Sequence, residues 1–314
     1  MARFRVIADG PLDETVIGFA GADIEFLPWP LPTSDVPASV DGIYTYGHPH
    51  VDGSMLDGLP GVRVISNYGV GVDHINVADA CDRDIPVGNT PNILDGATAD
   101  TGFTLLLAAA RRVVEGDRYA RSPKFLRYDP GYMLGREAHS STLGIIGLGN
   151  IGAQVARRAR GFDMRVMYRN RRRRADAETK LEAEYASFEE LLAQSDYVML
   201  TCPLTEATHH LIDAAALRKM KQTATLINIA RGPIVDTQAL YEALRDGQIA
   251  SAGLDVTDPE PLPRDHPLLG LDNVTILPHL GSATIETRRQ MAQISVRNLL
   301  LGLRGEPLLH TVEP

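Results

Sequence analysis

Short apolar runs alternate with glycine, proline and aspartate turn signals along the first 95 residues of the chain. Runs of this length between such signals are typical of buried strands. Residues 28–37 are rich in proline, which predicts a surface loop between two of the runs. The predicted strands of this first part are residues 4–8, 24–27, 42–46, 62–66 and 85–88.

A longer apolar pattern at helical spacing follows these strands. Residues 91–112 predict one long helix, with an apolar body from Leu105 to Ala110 and two arginines in its last turn. We interpret this helix as the crossing from a first domain to a second. Residues 116–140 are polar and show no periodicity, which predicts an irregular arm between the domains that can reach a partner subunit.

Strand and helix patterns then alternate through most of the second half of the chain. This alternation predicts a parallel, doubly wound sheet with right-handed connections. A final helix, residues 285–302, is expected to return to the first domain and make it discontinuous. The further predicted strands are residues 143–146, 164–168, 197–202, 225–229, 252–256 and 274–277, and the helices between the later ones are residues 188–193, 214–220 and 237–245.

These patterns give an α/β fold class, with two Rossmann-like doubly wound parallel-sheet domains and a cleft between them. We predict that residues 1–96 and 287–314 form a substrate (catalytic) domain. Residues 97–286 are predicted to form a dinucleotide-binding domain. In such folds, ligands bind at the carboxyl ends of the strands.

A glycine-rich turn connects the first strand of the second domain to its helix. Gly147, Gly149 and Gly152 have the spacing G-x-G-x-x-G between a predicted strand and a predicted helix. Glycines at this spacing allow a tight turn, close approach of the backbone to a pyrophosphate, and close packing of the helix on the strand. A glycine turn without a ligand is the structural alternative. The context favours dinucleotide binding, with these predicted contacts: Gly147, Leu148, Gly149, Asn150, Ile151 and Gly152.

The residues after the second strand of this domain indicate which dinucleotide fits. In NAD-binding units an Asp or Glu about 20 residues beyond the glycines accepts a hydrogen bond from the ribose 2′-OH. Here that position is Arg169, and no carboxylate occurs before Asp176. Asn170, Arg171 and Arg172 follow directly, and arginines can bind the oxygens of a 2′-phosphate. The sequence therefore predicts NADP (NADPH) as the cofactor, although a solvated basic loop or a nucleic-acid patch would contain the same residues.

Three polar residues follow three different predicted strands of the same domain. They are Arg231, Glu260 and His279, and the carboxyl ends of parallel strands bring such residues to one edge of the sheet. An arginine can bind a carboxylate, and a histidine bonded to a glutamate can exchange a proton with substrate. Taken singly, each residue is as well explained by a surface ion pair, a solvated loop or a helix cap. Their joint occurrence favours a catalytic site.

Composition and the remaining residues exclude several other kinds of function. The net charge of −9 argues against nucleic-acid binding by the whole surface. No cluster of His, Cys or carboxylate residues has metal-ligand spacing, and no serine lies in a G-x-S-x-G turn. The two cysteines are interpreted as reduced thiols. Because no apolar run reaches membrane-helix length and no signal-peptide pattern precedes the first strand, we expect a soluble, cytoplasmic protein.

A second glycine-rich turn follows the predicted strand at residues 62–66. It runs from Ser66 to His74 and includes Val70 and Gly71. Backbone N–H groups in such a turn can hold a small anion. A tight turn before a helix explains these residues equally well.

Four motifs extend the pattern over nearly the whole chain. They are the glycine motif at 147–152, Asn-Ile-Ala-Arg-Gly-Pro-Ile-Val-Asp at 228–236, Gly-Leu-Asp-Val-Thr-Asp-Pro-Glu-Pro at 253–261, and Pro-His-Leu-Gly-Ser-Ala-Thr at 278–284. In these motifs the chain resembles the D-isomer-specific 2-hydroxyacid dehydrogenases. The segments at 260–263, 266–269, 281–284 and 298–307 are most similar to those of glyoxylate/hydroxypyruvate reductases. The resemblance implies a nicotinamide cofactor, a small 2-oxoacid substrate and a homodimer formed through the cofactor domain and the arm.

The resemblance also implies roles for single residues. Arg231 would bind the substrate carboxylate and keto oxygen, and His279 would be the acid in reduction, oriented by Glu260. The backbone amides of Val70 and Gly71 would hold the carboxylate. The other implied contacts are Asn67 and Ser282 for the substrate, Thr98 and Asp255 near the nicotinamide, Cys202 and Pro203 beside the adenosine, and Ala230 and Gly281 elsewhere along the cofactor.

Two departures from the family pattern leave the substrate open. The chain has Thr-Ala-Asp at 98–100 where the family often has Thr-Ala-Glu, and it has Tyr128 and Tyr132 in the arm where the subgroup often has tryptophan. One alternative is a 2-hydroxyacid dehydrogenase that acts on a larger oxoacid. Another is a dinucleotide-sensing binding protein of the corepressor type, which retains the same three catalytic residues. NADPH-dependent reduction of glyoxylate or hydroxypyruvate is our prediction.

Overall fold

The computed structural model describes residues 3–29 and 40–314. The chain divides into two compact units, which we call unit 1 (Met1–Leu94 and Thr284–Pro314) and unit 2 (Asp95–Ala283). The boundaries expected from the sequence are residues 97 and 287. Most of the predicted proline-rich loop lies outside the described residues.

Unit 1 is built on a five-stranded sheet in which every neighbouring pair of strands is parallel. Its strands are β1 (Phe4–Ala8), β2 (Ile24–Pro28), β3 (Gly42–Thr45), β4 (Ile65–Asn67) and β5 (Val87–Gly88). Their order across the sheet is β2-β1-β3-β4-β5. Ile7, Ile43 and Ile65 are almost completely buried, as expected for parallel strands covered on both faces.

Unit 2 contains a seven-stranded sheet, which is also parallel throughout. Its strands are β6 (Thr142–Ile146), β7 (Arg165–Arg169), β8 (Ala183–Tyr185), β9 (Tyr197–Leu200), β10 (Thr225–Asn228), β11 (Ser251–Leu254) and β12 (Val274–Ile276). The order is β12-β11-β10-β9-β6-β7-β8. The order reverses at β6, and this reversal creates the switch point where doubly wound sheets bind ligands. The predicted fold of two doubly wound parallel sheets is confirmed.

The helices connect the strands, and unit 1 holds the first three and the last of them. In chain order they are α1 (Glu14–Ala20), α2 (Gly53–Asp57), α3 (Val77–Cys81), α4 (Asp95–Ala110), α5 (Val113–Ala120), α6 (Asn150–Arg160), α7 (Ala175–Leu181), α8 (Phe188–Gln194), α9 (Ala214–Lys219), α10 (Thr237–Arg245) and α11 (Ile285–Leu303). Two short 3₁₀ segments cover Gly232–Ile234 and Pro267–Gly270. In the described part of the chain, no helix combines the length and apolar character needed to cross a membrane.

Several short elements were not predicted from the sequence. Helices α1, α2 and α3 are five to seven residues long and bury only one or two side chains each, so their apolar period is weak. Their N-caps, Asp13, Asp52 and Asn76, are the signal that could have located them. The expectation of an irregular segment over residues 116–140 is wrong at its start, where α5 extends to Ala120.

Candidate active site

The glycine turn between β6 and α6 has a different constraint at each glycine. Gly147 has φ +106°, and a Cβ atom there would lie 2.5 Å from the Cys202 nitrogen. A Cβ at Gly152 would lie 2.4 Å from the Gly147 carbonyl oxygen. At Gly149, by contrast, a Cβ would meet nothing within 4 Å. The first and third glycines therefore permit close packing, while the second leaves one side of the turn open.

The start of α6 adds backbone N–H groups to this turn. Gly149 is the N-cap and has no side chain to bond the N–H groups of the first helical turn. Those groups and the positive end of the helix dipole favour an anion. Leu148 is fully buried and Ile151 is partly buried against the core, whereas Asn150 is exposed. The open side of the turn and the positive end of the helix dipole fit the pyrophosphate of a dinucleotide.

Asn170 ties the loop after β7 to the glycine turn. Its Oδ1 atom accepts a hydrogen bond from the Leu148 N–H at 2.6 Å. The Arg174 guanidinium donates to the Leu148 carbonyl oxygen at 3.1 Å. The basic loop is thus held against the turn that would carry the cofactor phosphates.

Two of the four consecutive arginines are paired with carboxylates. Arg173 binds both oxygens of Glu178 at 2.7 Å, and Arg174 lies 3.3 Å from Asp176. The Arg173 guanidinium and the Tyr168 hydroxyl lower the pKa of Glu178 to about 2. The charges of Arg173 and Arg174 are therefore compensated within the loop.

The other basic residues of the loop differ in their surroundings. The Arg169 guanidinium lies above the Tyr185 ring, 5.4 Å from its centroid, and donates to the Tyr185 hydroxyl. Arg171 and Arg172 are exposed and pair with no carboxylate among residues 3–29 and 40–314. The sequence alone did not show which of these arginines are paired. The positive charges of Arg171 and Arg172 are therefore the ones available to a ligand.

The turn that carries Arg231 is fixed by the strand before it. Asn228, buried at the end of β10, accepts from the Ala230 N–H at 3.0 Å and donates to the Arg231 carbonyl oxygen at 2.8 Å. A Cβ at Gly232 would lie 1.9 Å from the Thr257 carbonyl oxygen. The Arg231 turn therefore packs directly on the loop after β11. Sequence reasoning missed Asn228, although a polar residue ending an apolar strand is a usable signal.

Glu260 and His279 meet at the carboxyl ends of β11 and β12. The His279 Nδ1 atom lies 2.7 Å from Glu260 Oε1, and both side chains are partly exposed. The Thr257 N–H donates to the second carboxylate oxygen at 3.3 Å. This contact fixes the ring through Nδ1, so Nε2 is the second ring atom that can carry a proton.

Asp255 holds the turn that carries His279. Its carboxylate is almost completely buried and accepts from the Leu280 and Gly281 N–H groups, each at 2.7 Å. Burial raises the pKa of Asp255, and these two hydrogen bonds oppose the rise. A Cβ at Gly281 would lie 3.3 Å from a Thr98 side-chain carbon, so α4 packs closely on the same turn.

The other residues of unit 2 that were predicted to contact the cofactor or the substrate also lie after the ends of strands. Ala230 precedes Arg231, and Ser282 is buried after Gly281. The backbone of Cys202 packs beside Gly147, and Pro203, next along the chain, is exposed. Burial raises the pKa of the Cys202 thiol to about 11, which makes it a poor nucleophile at neutral pH.

In unit 1, the glycine turn after β4 presents backbone donors. The N–H groups of Gly69, Val70 and Gly71 donate to no acceptor in the described part of the chain. Asn67 is buried, and its amide donates to the Gly69 and Gly71 carbonyl oxygens at 3.1 and 2.9 Å. The turn therefore has unsatisfied N–H groups of the kind that bind a carboxylate.

No metal site accompanies these groups in the described ranges. Within residues 3–29 and 40–314, no group of three or more His, Cys, Asp and Glu side chains is arranged to hold a metal ion.

The chain is similar in sequence to a known protein family and to several of its members. Residues 103–281 match the family model described as D-isomer specific 2-hydroxyacid dehydrogenase, NAD binding domain. The chain is 50% identical over 257 residues to a glyoxylate reductase of Korarchaeum cryptofilum, covering 82% of this chain and 77% of the relative. It is 47% identical over 271 residues to a glyoxylate reductase of Pyrococcus furiosus, covering 85% and 80% of the two chains.

Solved structures show the same fold over the full length. A Thermus thermophilus protein superposes with a TM-score of 0.89 at 41% identity, covering 99% of this chain and 100% of that one. An NADPH-dependent glyoxylate/hydroxypyruvate reductase from Sinorhizobium meliloti, solved with NADP and malonate, gives a TM-score of 0.89 at 30% identity. That alignment covers 99% of this chain and 97% of the other.

Proposed function

The chain belongs to the D-isomer specific 2-hydroxyacid dehydrogenase family, and from this premise we propose that it reduces a small 2-oxoacid, glyoxylate or hydroxypyruvate, with NADPH. The observation that carries the proposal is the His279–Glu260 contact of 2.7 Å, at the strand ends of the unit that contains the glycine turn. The glyoxylate reductases among the relatives support the substrate class.

Three side chains of unit 2 account for the chemistry. When bound, the nicotinamide supplies a hydride to the substrate carbonyl carbon. Arg231 binds the carboxylate and the keto oxygen, and its charge stabilises that oxygen as it becomes negative. His279 gives its Nε2 proton to the oxygen, while Glu260 keeps the ring oriented through Nδ1. The oxoacid thus gains one hydride at carbon and one proton at oxygen, which gives the 2-hydroxyacid.

We assign the remaining roles to the two units separately. In unit 1, the Val70 and Gly71 N–H groups are proposed to bind the substrate carboxylate, which makes unit 1 the substrate domain. In unit 2, the glycine turn is proposed to hold the pyrophosphate, with Thr98 and Asp255 supporting the nicotinamide end. Ser282 is assigned to the substrate and Cys202 to the adenosine end.

Steady-state kinetics with NADPH and NADH on a panel of 2-oxoacids tests this function. We expect the highest kcat/KM with glyoxylate or hydroxypyruvate. The highest activity on a bulky aromatic oxoacid would refute the small substrate. A folded protein that binds the cofactor but reduces no oxoacid would refute the enzymatic proposal and favour a dinucleotide sensor.

Replacing Glu260 with Gln is expected to move the pH dependence of oxoacid reduction. Reduction requires a protonated His279, and the neutral amide stabilises the charged ring less than a carboxylate does. The decline of kcat/KM at high pH should therefore begin at a lower pH than in the unmodified protein. Glu242→Gln, a change at an exposed glutamate on α10, is the matched control. A profile that coincides with that of the unmodified protein would remove the orienting role of Glu260.

The basic loop after β7 supports NADPH rather than NADH. Arg171 and Arg172 are exposed and pair with no carboxylate of the described residues, while Arg173 and Arg174 are bound to acidic neighbours. An uncompensated arginine favours a 2′-phosphate, which NADH lacks. Because Asn170 bonds the Leu148 N–H, we assign it to holding the loop in place as well as to the ribose side of the cofactor.

Arg171→Ala is expected to weaken NADPH binding and to leave NADH binding nearly unchanged. The loss should be on the order of 2 kcal/mol, or about thirtyfold in Kd, as for a hydrogen bond to a charged group. Titration of both cofactors by nucleotide fluorescence measures it. Arg173→Ala is the matched control, because Arg173 is bound to Glu178 and should not change the NADPH-to-NADH ratio. Equal kcat/KM values for NADPH and NADH in the unmodified protein would refute the NADPH assignment.

We also infer a homodimer from the surface of the arm. Residues 121–140, the part of the predicted arm that follows α5, expose large apolar side chains, among them Leu126 at 87%, Tyr128 at 82% and Leu134 at 71% of their full exposure. Exposed apolar residues grouped on one segment are typical of an interaction surface. The mass in solution from light scattering tests the assembly, and a monomer would refute it.

A further inference from the structure

In the glycine turn after β4, the carbonyl groups of residues 69–71 all accept hydrogen bonds from other residues of unit 1. The Gly69 oxygen accepts from the Asn67 amide at 3.1 Å and from the Thr90 N–H at 3.0 Å. The Gly71 oxygen accepts from the same Asn67 amide at 2.9 Å. The Val70 oxygen accepts from the Asn89 amide at 2.9 Å. The N–H groups of the same three residues, Gly69, Val70 and Gly71, donate to no acceptor in the described part of the chain.

The Asn67 amide can do this in only one orientation. Both of its hydrogens are used, one on the Gly69 oxygen and one on the Gly71 oxygen. If the amide were turned by half a rotation, its own oxygen would face those two carbonyl oxygens and repel them. The orientation of Asn67 therefore controls the shape of the turn.

Thr45 selects that orientation. Its hydroxyl donates to Asn67 Oδ1 at 2.8 Å, and both side chains are almost completely buried. The two residues are direct partners in the register of β3 and β4, so the contact follows from the sheet itself. A hydrogen bond between buried groups is strong, and an unmet group there is costly. Sequence reasoning did not identify Thr45.

Asn89 is anchored independently of Thr45. It follows β5, and its carbonyl oxygen accepts from the Asn298 amide of α11 at 3.0 Å. Asn298 is completely buried. The Asn89 side chain therefore reaches the Val70 carbonyl from a fixed backbone position.

We propose that Thr45, Asn67 and Asn89 form a carbonyl clamp, a set of positioning residues that fixes the Val70 and Gly71 N–H groups for the substrate carboxylate. Thr45 acts through Asn67, and neither touches the substrate. Asn67 is thereby assigned to the turn rather than to the pocket lining. The inference rests on the proposed function, because the anion that the turn binds is the carboxylate of the 2-oxoacid.

The test compares Thr45→Val, which has the same shape but no hydroxyl, with Thr45→Ser, which keeps the hydroxyl. With Thr45→Val we expect the KM for glyoxylate to rise about fivefold, while kcat stays within about twofold and the Kd for NADPH is unchanged. Thr45→Ser should restore the KM. Thr104→Val is the matched control, because that hydroxyl bonds only its own helix, at Asp100. A KM equal to that of the unmodified protein, or a fall in kcat alone, would overturn the clamp.

Hydrogen exchange supplies a measurement that does not depend on turnover. The protein loaded with NADPH and oxamate, an unreactive 2-oxoacid analogue, should show protected amides at residues 69–71, and Thr45→Val should reduce that protection. If no oxoacid is reduced but oxamate protects these amides, the proposed function fails and the clamp stands. Lack of protection in the unmodified protein overturns the clamp. If Thr45→Val does not fold, Asn89→Ala takes its place in the test. We expect the same rise in KM with Asn89→Ala, and an unchanged KM in that variant would overturn the clamp.

Discussion

His279→Gln should lower kcat for oxoacid reduction by about 10³-fold, because the variant has no group that can give a proton to the developing alkoxide. Glutamine keeps a donor near Glu260, so the fold of the turn should persist. The turn is also held by backbone bonds to Asp255, which the substitution does not touch. Steady-state kinetics at saturating glyoxylate measures the loss.

Cofactor binding provides the internal control for this variant. The glycine turn lies on β6 and α6, so the Kd for NADPH should be unchanged when His279 is replaced. His209→Gln, at an exposed histidine, should behave like the unmodified protein. A kcat within about threefold of normal for His279→Gln would show that another group supplies the proton.

Arg231→Ala should lower kcat/KM by about 10³-fold, through a higher KM and a lower kcat together. In the proposed mechanism the keto oxygen gains charge as the hydride arrives, so the arginine is expected to bind the transition state more tightly than the substrate. Arg231→Lys should recover only part of the loss, since a lysine keeps the charge but not the two-pronged geometry. The comparison requires kcat and KM to be determined separately.

The matched control is Arg245→Ala. Arg245 ends α10, where it is exposed and paired with Asp246, and its removal should leave both constants unchanged. If Arg231→Ala raises KM with no change in kcat, Arg231 is only an anchor for the ground-state carboxylate. The transition-state role would then have to be abandoned.

Elements with strong periodicity were predicted closely from the sequence. Helix α10 covers Thr237–Arg245, which is the predicted range, and β1 also matches its predicted range, Phe4–Ala8. Their apolar residues recur on one face or form one continuous buried run, so the local pattern and the tertiary packing agree. The segment between β7 and α8 was predicted less well, and its elements α7 and β8 were not predicted at all. Charged residues dominate this segment, so it has no clear apolar period.

In the candidate site, the sequence predicted which residues are present but not all of the contacts that they make. The sequence predicted Arg231, Glu260 and His279 from their places after strands, and the structure brings Glu260 and His279 into contact at 2.7 Å. It did not predict that Asn228 fixes the Arg231 turn, nor that Asp255 accepts two backbone bonds from the His279 turn. Those contacts depend on side-chain orientation, which no spacing rule specifies.

The sequence by itself determined the α/β class, the glycine turn and the residue types available for chemistry, because these follow from apolar period and from glycine at required spacing. Only the tertiary structure decided how those residues are used. Arg173 pairs with Glu178, whereas Arg171 pairs with no carboxylate in the described part of the chain, and the Thr45 hydroxyl donates to Asn67 across 22 residues of sequence. A polar side chain has several possible hydrogen-bond partners in an extended chain, and the packed sheet brings only one set of them within reach.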